Sequence, residues 1–92
     1  MNGRVFLGID IGSASVRAGA FDESGRRLAF CVRSIRQFHP QPLFVEQSSA
    51  DIWRQTCAAV RDVIASADID PGRVASIGVD ATCSLVAVGF GG

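Results

Sequence analysis

The sequence predicts an α/β fold in the element order β-β-β-α-β. Two short apolar runs, residues 4–9 and 74–79, each stop at an aspartate, Asp10 and Asp80. Continuous apolar runs of this length suit parallel strands buried on both faces. Between them lie two segments of strand-like alternation and one of helical periodicity.

The first strand is Arg4-Val5-Phe6-Leu7-Gly8-Ile9, and Gly12-Ser13-Ala14-Ser15 turns the chain back. In residues 15–22, Val16, Ala18 and Ala20 point one way and Arg17, Gly19 and Phe21 the other. Asp22-Glu23-Ser24-Gly25 is a tight turn, with glycine where a positive φ costs little. A third strand runs from Arg27 to Ser34, with Leu28, Phe30 and Val32 on one face. Residues 36–48 contain Pro40 and Pro42 and read as a loop, because proline donates nothing to a ladder. Ser48 or Ser49 caps the helix that follows, and Ser48-x-x-Asp51 has capping-box spacing. Ile52, Trp53, Cys57, Val60, Val63 and Ile64 then recur at helical spacing to about Ala67. Trp53 is the expected anchor of this helix on the sheet. Asp68 to Gly72, with Pro71, ends the helix, and Val74 to Val79 form the last strand. In open α/β sheets ligands bind outside the carboxyl ends of the strands, so Asp10 and Asp80 are expected at one sheet edge.

Composition narrows the function. Nine arginines, no lysine, seven aspartates and two glutamates sum to zero, which excludes a basic nucleic-acid arm or an acidic tail. Apolar residues make up 48% of a 92-residue chain, enough for one small core. No apolar run approaches the roughly 20 residues of a membrane span. The opening residues lack the form of a secretory signal, so a cytoplasmic location is expected. Cys31, Cys57 and Cys83 contain no C-x-x-C pair, and His39 is the lone histidine. Reduced thiols, two of them buried, are expected rather than a structural metal site.

The segment from Asp10 to Arg17 carries the chemistry. Gly12 lets the backbone approach a ligand, and successive N–H groups of such a turn can hold an anion. Ser13 and Ser15 add hydroxyl donors, and Arg17 adds a guanidinium suited to phosphate oxygens. Asp10 offers hard oxygen to magnesium. Together these are parts of a phosphoryl-transfer site. A plain hairpin with a surface Asp and Arg uses the same residues. The segment is neither a Walker loop nor G-x-G-x-x-G.

Gly8-Ile9-Asp10-Ile11-Gly12-Ser13-Ala14-Ser15-Val16-Arg17-Ala18 resembles the opening phosphate motif of the FGGY carbohydrate kinases. That family lies in the actin, sugar kinase and chaperone superfamily, whose core is RNase H-like. Phe44-Val45-Glu46-Gln47-Ser48-Ser49-Ala50-Asp51-Ile52-Trp53 resembles its second segment. Ile77-Gly78-Val79-Asp80-Ala81-Thr82-Cys83-Ser84-Leu85-Val86 resembles the fourth-strand segment of its ribulokinase-like branch. The strings point to the D-ribulokinase subgroup. The resemblance implies an RNase H-like, actin-like ATPase core, with residues 1–92 as the start of the N-terminal, sugar-binding domain. It implies ATP and magnesium as cofactors and a pentulose, D-ribulose first, as substrate. Asp10 would serve the magnesium–ATP phosphates. Gly12, Ser13 and Ser15 would face the γ-phosphate, with Arg17 assisting. Cys83 and Ser84 would be the local sugar contacts, against the plain reading of a buried thiol and a strand-end hydroxyl. Asp80 is either functional or structural, and Glu46 and Gln47 pin the loop before the helix.

Family members have two lobes, and their catalytic Asp and most of their adenine site lie far downstream. The tail Ala87-Val88-Gly89-Phe90-Gly91-Gly92 also departs from the family pattern, as a truncated or frame-shifted product or a deliberate fragment would. The chain alone is therefore expected to be inactive. A non-catalytic remnant that self-associates through an exposed apolar edge is one rival reading. The other is a nuclease holding two magnesium ions between Asp10 and Asp80, which the absence of a basic stripe disfavours.

Overall fold

The computed structural model describes residues 3–82 and Gly89. Three strands, β1 (Val5–Ile11), β2 (Ser15–Phe21) and β3 (Arg27–Ser34), form an antiparallel meander. Two short strands, β4 (Gln37–Phe38) and β5 (Glu46–Gln47), pair with each other. The helix α1 (Ser49–Ser66) follows, then a 3-10 turn over Pro71–Arg73 and β6 (Val74–Ala81). The large sheet has the order β3-β2-β1-β6, with β6 parallel to β1. The predicted α/β order holds for the long elements, and β4 and β5 correct the loop reading of 36–48. Pro40 and Pro42 sit between those two strands and interrupt neither.

Alternation sets the core. Val5, Leu7 and Ile9 of β1 and Val16, Ala18 and Ala20 of β2 point to one face. Ala59 and Val63 of α1 close on them, with Ile35 and Ile69 at the margins. The helix lies over β2 and β3, touches β1 little, and leaves β6 uncovered. The first and last strands are therefore not buried on both faces. Among the described residues, nothing covers the sheet face opposite α1. Ile77 and Val79 of β6 are 56% and 63% exposed even on the helix side. On β3, a register irregularity pairs Phe21 with Arg27 and Ala20 with Ala29, which leaves Leu28 as a bulge packed against the core. Phe30 and Val32 do not join it, because they stand on the open face.

The ends of α1 follow from local chemistry. Ser48 is the N-cap, and its hydroxyl accepts the Asp51 N–H. Only half a capping box forms. The Asp51 carboxylate accepts the Arg36 N–H at 2.9 Å instead of reaching back, and takes the Gln55 amide at 3.4 Å. At the other end Asp68, at φ 50°, occupies the left-handed position usually given to glycine. Its N–H reaches the Ala65 carbonyl and the Ile69 N–H the Ile64 carbonyl, a Schellman closure.

Trp53 does not anchor the helix. It is 70% exposed, because the packed stripe runs through Ile52, Ala59, Val60, Val63 and Ile64. Trp53→Ala should shift the urea unfolding free energy by no more than about 0.5 kcal/mol, the usual range for an exposed position. Cys31 and Cys57 are half-buried rather than buried. Burial and the nearby Asp62 carboxylate push the Cys31 thiol pKa up.

Two aspartates make stability acid-sensitive. The Arg36 N–H holds the Asp51 carboxyl below its usual range, and the Ser24 hydroxyl and Arg26 N–H do so for Asp22. A folded pKa below the unfolded value of about 3.9 gives stability that is present above that value and lost as pH falls through the folded pKa. Urea midpoints should therefore be flat from pH 7 to 5 and fall below pH 4. Asp51→Asn should shallow that fall.

Candidate functional site

Cross-strand register gathers the charged residues. Asp80 is the β6 partner of Asp10, and Arg17 is its β2 partner. The side chains stand in one row on the face away from α1, near the carboxyl ends of β1 and β6. The Asp10 Oδ2 atom lies 3.9 Å from the Arg17 guanidinium, and both side chains are about half exposed. Asp10 and Asp80 are each one residue inside their strands rather than at the ends.

Beside this row lies a second, Gly78, Gly8 and Gly19, in the same register. It floors an open cleft of about 490 Å³, with Phe21 and Phe30 as walls. The missing side chain matters most at Gly19, where a Cβ would lie 3.0 Å from the Phe21 ring.

The turn closes with the Gly12 N–H on the Ser15 carbonyl at 2.8 Å, leaving Ser13 and Ala14 as a two-residue loop. A Cβ on Gly12 would press to 3.4 Å on that same carbonyl. Ser13 is exposed, and Ser15 is half-buried on the Arg17 side of the strand. The structure thus brings Asp10, Gly12, Ser13, Ser15 and Arg17 together, with Asp80 alongside. Cys83 and Ser84 lie outside the described residues. The Thr82 N–H donates to the Ile11 carbonyl at 3.0 Å and carries the β1–β6 pairing past Ala81.

Two glutamines from outside the turn reach it, and only Gln47 carried a signal in the sequence. The Gln37 and Gln47 side-chain amides both donate to the Ser13 carbonyl, the Gln37 bond at 2.8 Å. Gln47 does pin the loop, as expected, and the turn is what it is pinned to. Glu46 is exposed opposite Phe38 in the β4–β5 pair. Two-residue strands have no periodicity to read, so nothing in the sequence placed Gln37 there.

The row offers carboxylate, carboxylate and guanidinium next to the exposed Ser13–Ala14 loop. Guanidinium and amide N–H groups suit phosphate oxygens. Among the described residues no group of three or more His, Cys, Asp or Glu converges to cage a metal ion. The donor set fits magnesium in its usual mode, with one or two carboxylates and the remaining positions filled by water and phosphate. No helix among the described residues is long and apolar enough to cross a membrane.

Residues 5–88 match the model of the FGGY family of carbohydrate kinases, N-terminal domain. A D-ribulokinase of Saccharomyces cerevisiae is 41% identical over 85 residues, which cover 92% of this chain and 12% of that protein. A glycerol kinase of Paracidovorax citrulli is 40% identical over 73 residues, or 79% of this chain and 14% of its own length. Among solved structures, a xylulose kinase from Rhodospirillum rubrum superposes with a TM-score of 0.78 at 22% identity. That match covers 88% of this chain and 17% of the other, and it shows the fold alone. The chain thus spans about one-eighth to one-sixth of the proteins it matches.

Proposed function

The chain belongs to the FGGY family of carbohydrate kinases, and from that premise we propose that it supplies the phosphate-holding turn of an ATP-dependent pentulose kinase. Residues 1–92 are then the opening portion of the N-terminal, sugar-binding domain. The observation that carries this reading is the register that sets Asp80, Asp10 and Arg17 in one row beside an exposed hairpin turn. Asp10 would hold magnesium together with the triphosphate oxygens. When bound, the ion neutralises charge that develops on the transferred phosphoryl group. Gly12 keeps the turn tight, Ser13 and Ser15 offer hydroxyl donors, and Arg17 swings from Asp10 to a phosphate oxygen. D-ribulose is the first candidate sugar, supported by the similarity to the yeast enzyme. Glycerol and xylulose are the competitors to test. Cys83 and Ser84 are proposed as sugar contacts on the family resemblance.

The 15N-labelled chain titrated with magnesium–ATP tests the turn. Amide shifts confined to residues 10–17, with affinity near millimolar, are expected. Saturating nucleotide without shifts there overturns the reading. The chain alone should release no ADP with D-ribulose above background, since the positioned base that adds ~10²–10⁴-fold in such enzymes is expected outside these residues.

The proposed partner besides nucleotide and sugar is a second copy of the chain. No strand among the described residues pairs with the outer edge of β6, and its Ile77 and Val79 are largely exposed. Open, apolar edges invite edge-to-edge pairing. Size-exclusion chromatography should give a concentration-dependent rise in apparent mass, and a monomer at all concentrations would refute it.

A further inference from the structure

We propose that Gln37 and Gln47 are positioning residues that fix the Ser13–Ala14 peptide plane, so that the Ala14 N–H faces outward to receive a phosphate oxygen. The phosphate half of this statement rests on the reading above, and the orientation half stands on the geometry.

Two-residue hairpin loops favour turns with positive φ, whose twist matches the flanking strands. Neither Ser13 nor Ala14 has a positive φ, so this loop lacks that intrinsic fit and needs holding from outside. The holding comes from one segment. The Ser13 carbonyl accepts both the Gln37 and the Gln47 amide, and the Ala14 carbonyl accepts the Ile35 N–H at 2.9 Å. A carbonyl oxygen has two lone pairs, so the two amides saturate Ser13.

The two glutamines are cross-strand partners in the β4–β5 pair, which is why their side chains converge on one atom. Their segment is anchored in turn. The Asp51 carboxylate in the first turn of α1 is 5% exposed and holds the Arg36 N–H. A continuous line of hydrogen bonds therefore runs from the start of α1 through residues 35–47 to the turn.

The peptide bond supplies the last step. It is planar and trans, so the Ala14 N–H is antiparallel to the Ser13 carbonyl. With the carbonyl held toward β4 and β5, that N–H is aimed away from them, at an exposed residue. Without the clamp the plane is free to flip. A flip would present a carbonyl oxygen where the N–H stood, and a phosphate oxygen would be repelled rather than bound.

The test uses the full 92-residue chain, 15N-labelled, with inorganic tripolyphosphate and magnesium as the probe. The Gln37→Met/Gln47→Met double variant keeps side-chain length and removes both donors. The ligand-free Ala14 amide should move in shift, while resonances remote from the turn stay in place. Tripolyphosphate affinity should fall at least tenfold. Gln47→Lys, which restores a donor of similar reach, should recover most of that loss when combined with Gln37→Met. An unchanged Ala14 amide in the ligand-free double variant overturns the clamp. A moved Ala14 amide with wild-type affinity overturns its phosphate role. A wild-type chain with no response to tripolyphosphate sinks the phosphate reading itself, while the ligand-free spectra still judge the orientation. Should the double variant not fold, the single Gln37→Met and Gln47→Met variants carry the same readouts, each expected to move Ala14 part of the way.

Discussion

Replacing Val63 by Asp should leave the chain unfolded in water at 25 °C. Val63 is fully buried in the core beneath α1. Removing its side chain forfeits ~1.5–3 kcal/mol of burial. An unpaired carboxylate in its place adds several kcal/mol more, whether it stays charged or takes up a proton to avoid the charge. The sum approaches the ~5–14 kcal/mol expected for a domain of 92 residues. This sheet has the lower end of that range to draw on, because α1 covers β2 and β3 but neither β6 nor the opposite face. Circular dichroism should lose the α1 signal, and the 15N spectrum should collapse to unfolded dispersion. Val63→Ala is the control. It leaves a cavity and no charge, and should lower the urea midpoint while keeping a cooperative transition. A dispersed, native-like spectrum for Val63→Asp would mean that α1 is not the cover that holds this sheet.

How far the sequence could be read follows from what periodicity can carry. Alternation named Val16, Ala18 and Ala20 as one face, and they are the buried apolar side chains of β2. The Ser48 cap and the apolar runs that end near aspartates placed α1 and the Asp10–Asp80 neighbourhood correctly. Periodicity does not say which face has a cover, however. Phe30 and Val32 alternate as well as any core pair, yet they stand on the open side. Trp53 fits a helical apolar stripe as well as Ile52 does, but the helix is rolled so that Ala59 and Val63 meet the sheet. Hydrophobicity alone gave the wrong anchor. The clamp on Ser13 was illegible for another reason. It depends on two short strands meeting across a proline-containing loop, and on side-chain amides whose target is set only by that meeting.

Asp10→Asn should separate stability from nucleotide chemistry, with an effect on ATP binding that changes sign between the presence and the absence of magnesium. In the free chain the Asp10–Arg17 pair is 3.9 Å apart and half exposed, a geometry that contributes at most about 1 kcal/mol. Unfolding midpoints of the variant should therefore stay close to wild type. Binding is another matter. If Asp10 holds magnesium as proposed, the wild-type carboxylate would share the ion with the triphosphate, and an interaction with a charged group is worth ~1.5–3 kcal/mol. Loss of the charge should weaken magnesium–ATP binding by roughly ten- to a hundredfold. Without magnesium the sign inverts. Asp10 then faces a polyanion directly and also competes with it for Arg17, so the neutral amide should bind free ATP better than the wild type does. Asp80, in register beside Asp10, would still offer the ion a carboxylate, so a small favourable magnesium effect should remain in the variant. Isothermal titration with and without magnesium reads both limbs. If the variant loses affinity equally in the two conditions, the carboxylate is acting through the fold of the turn and does not touch the ion.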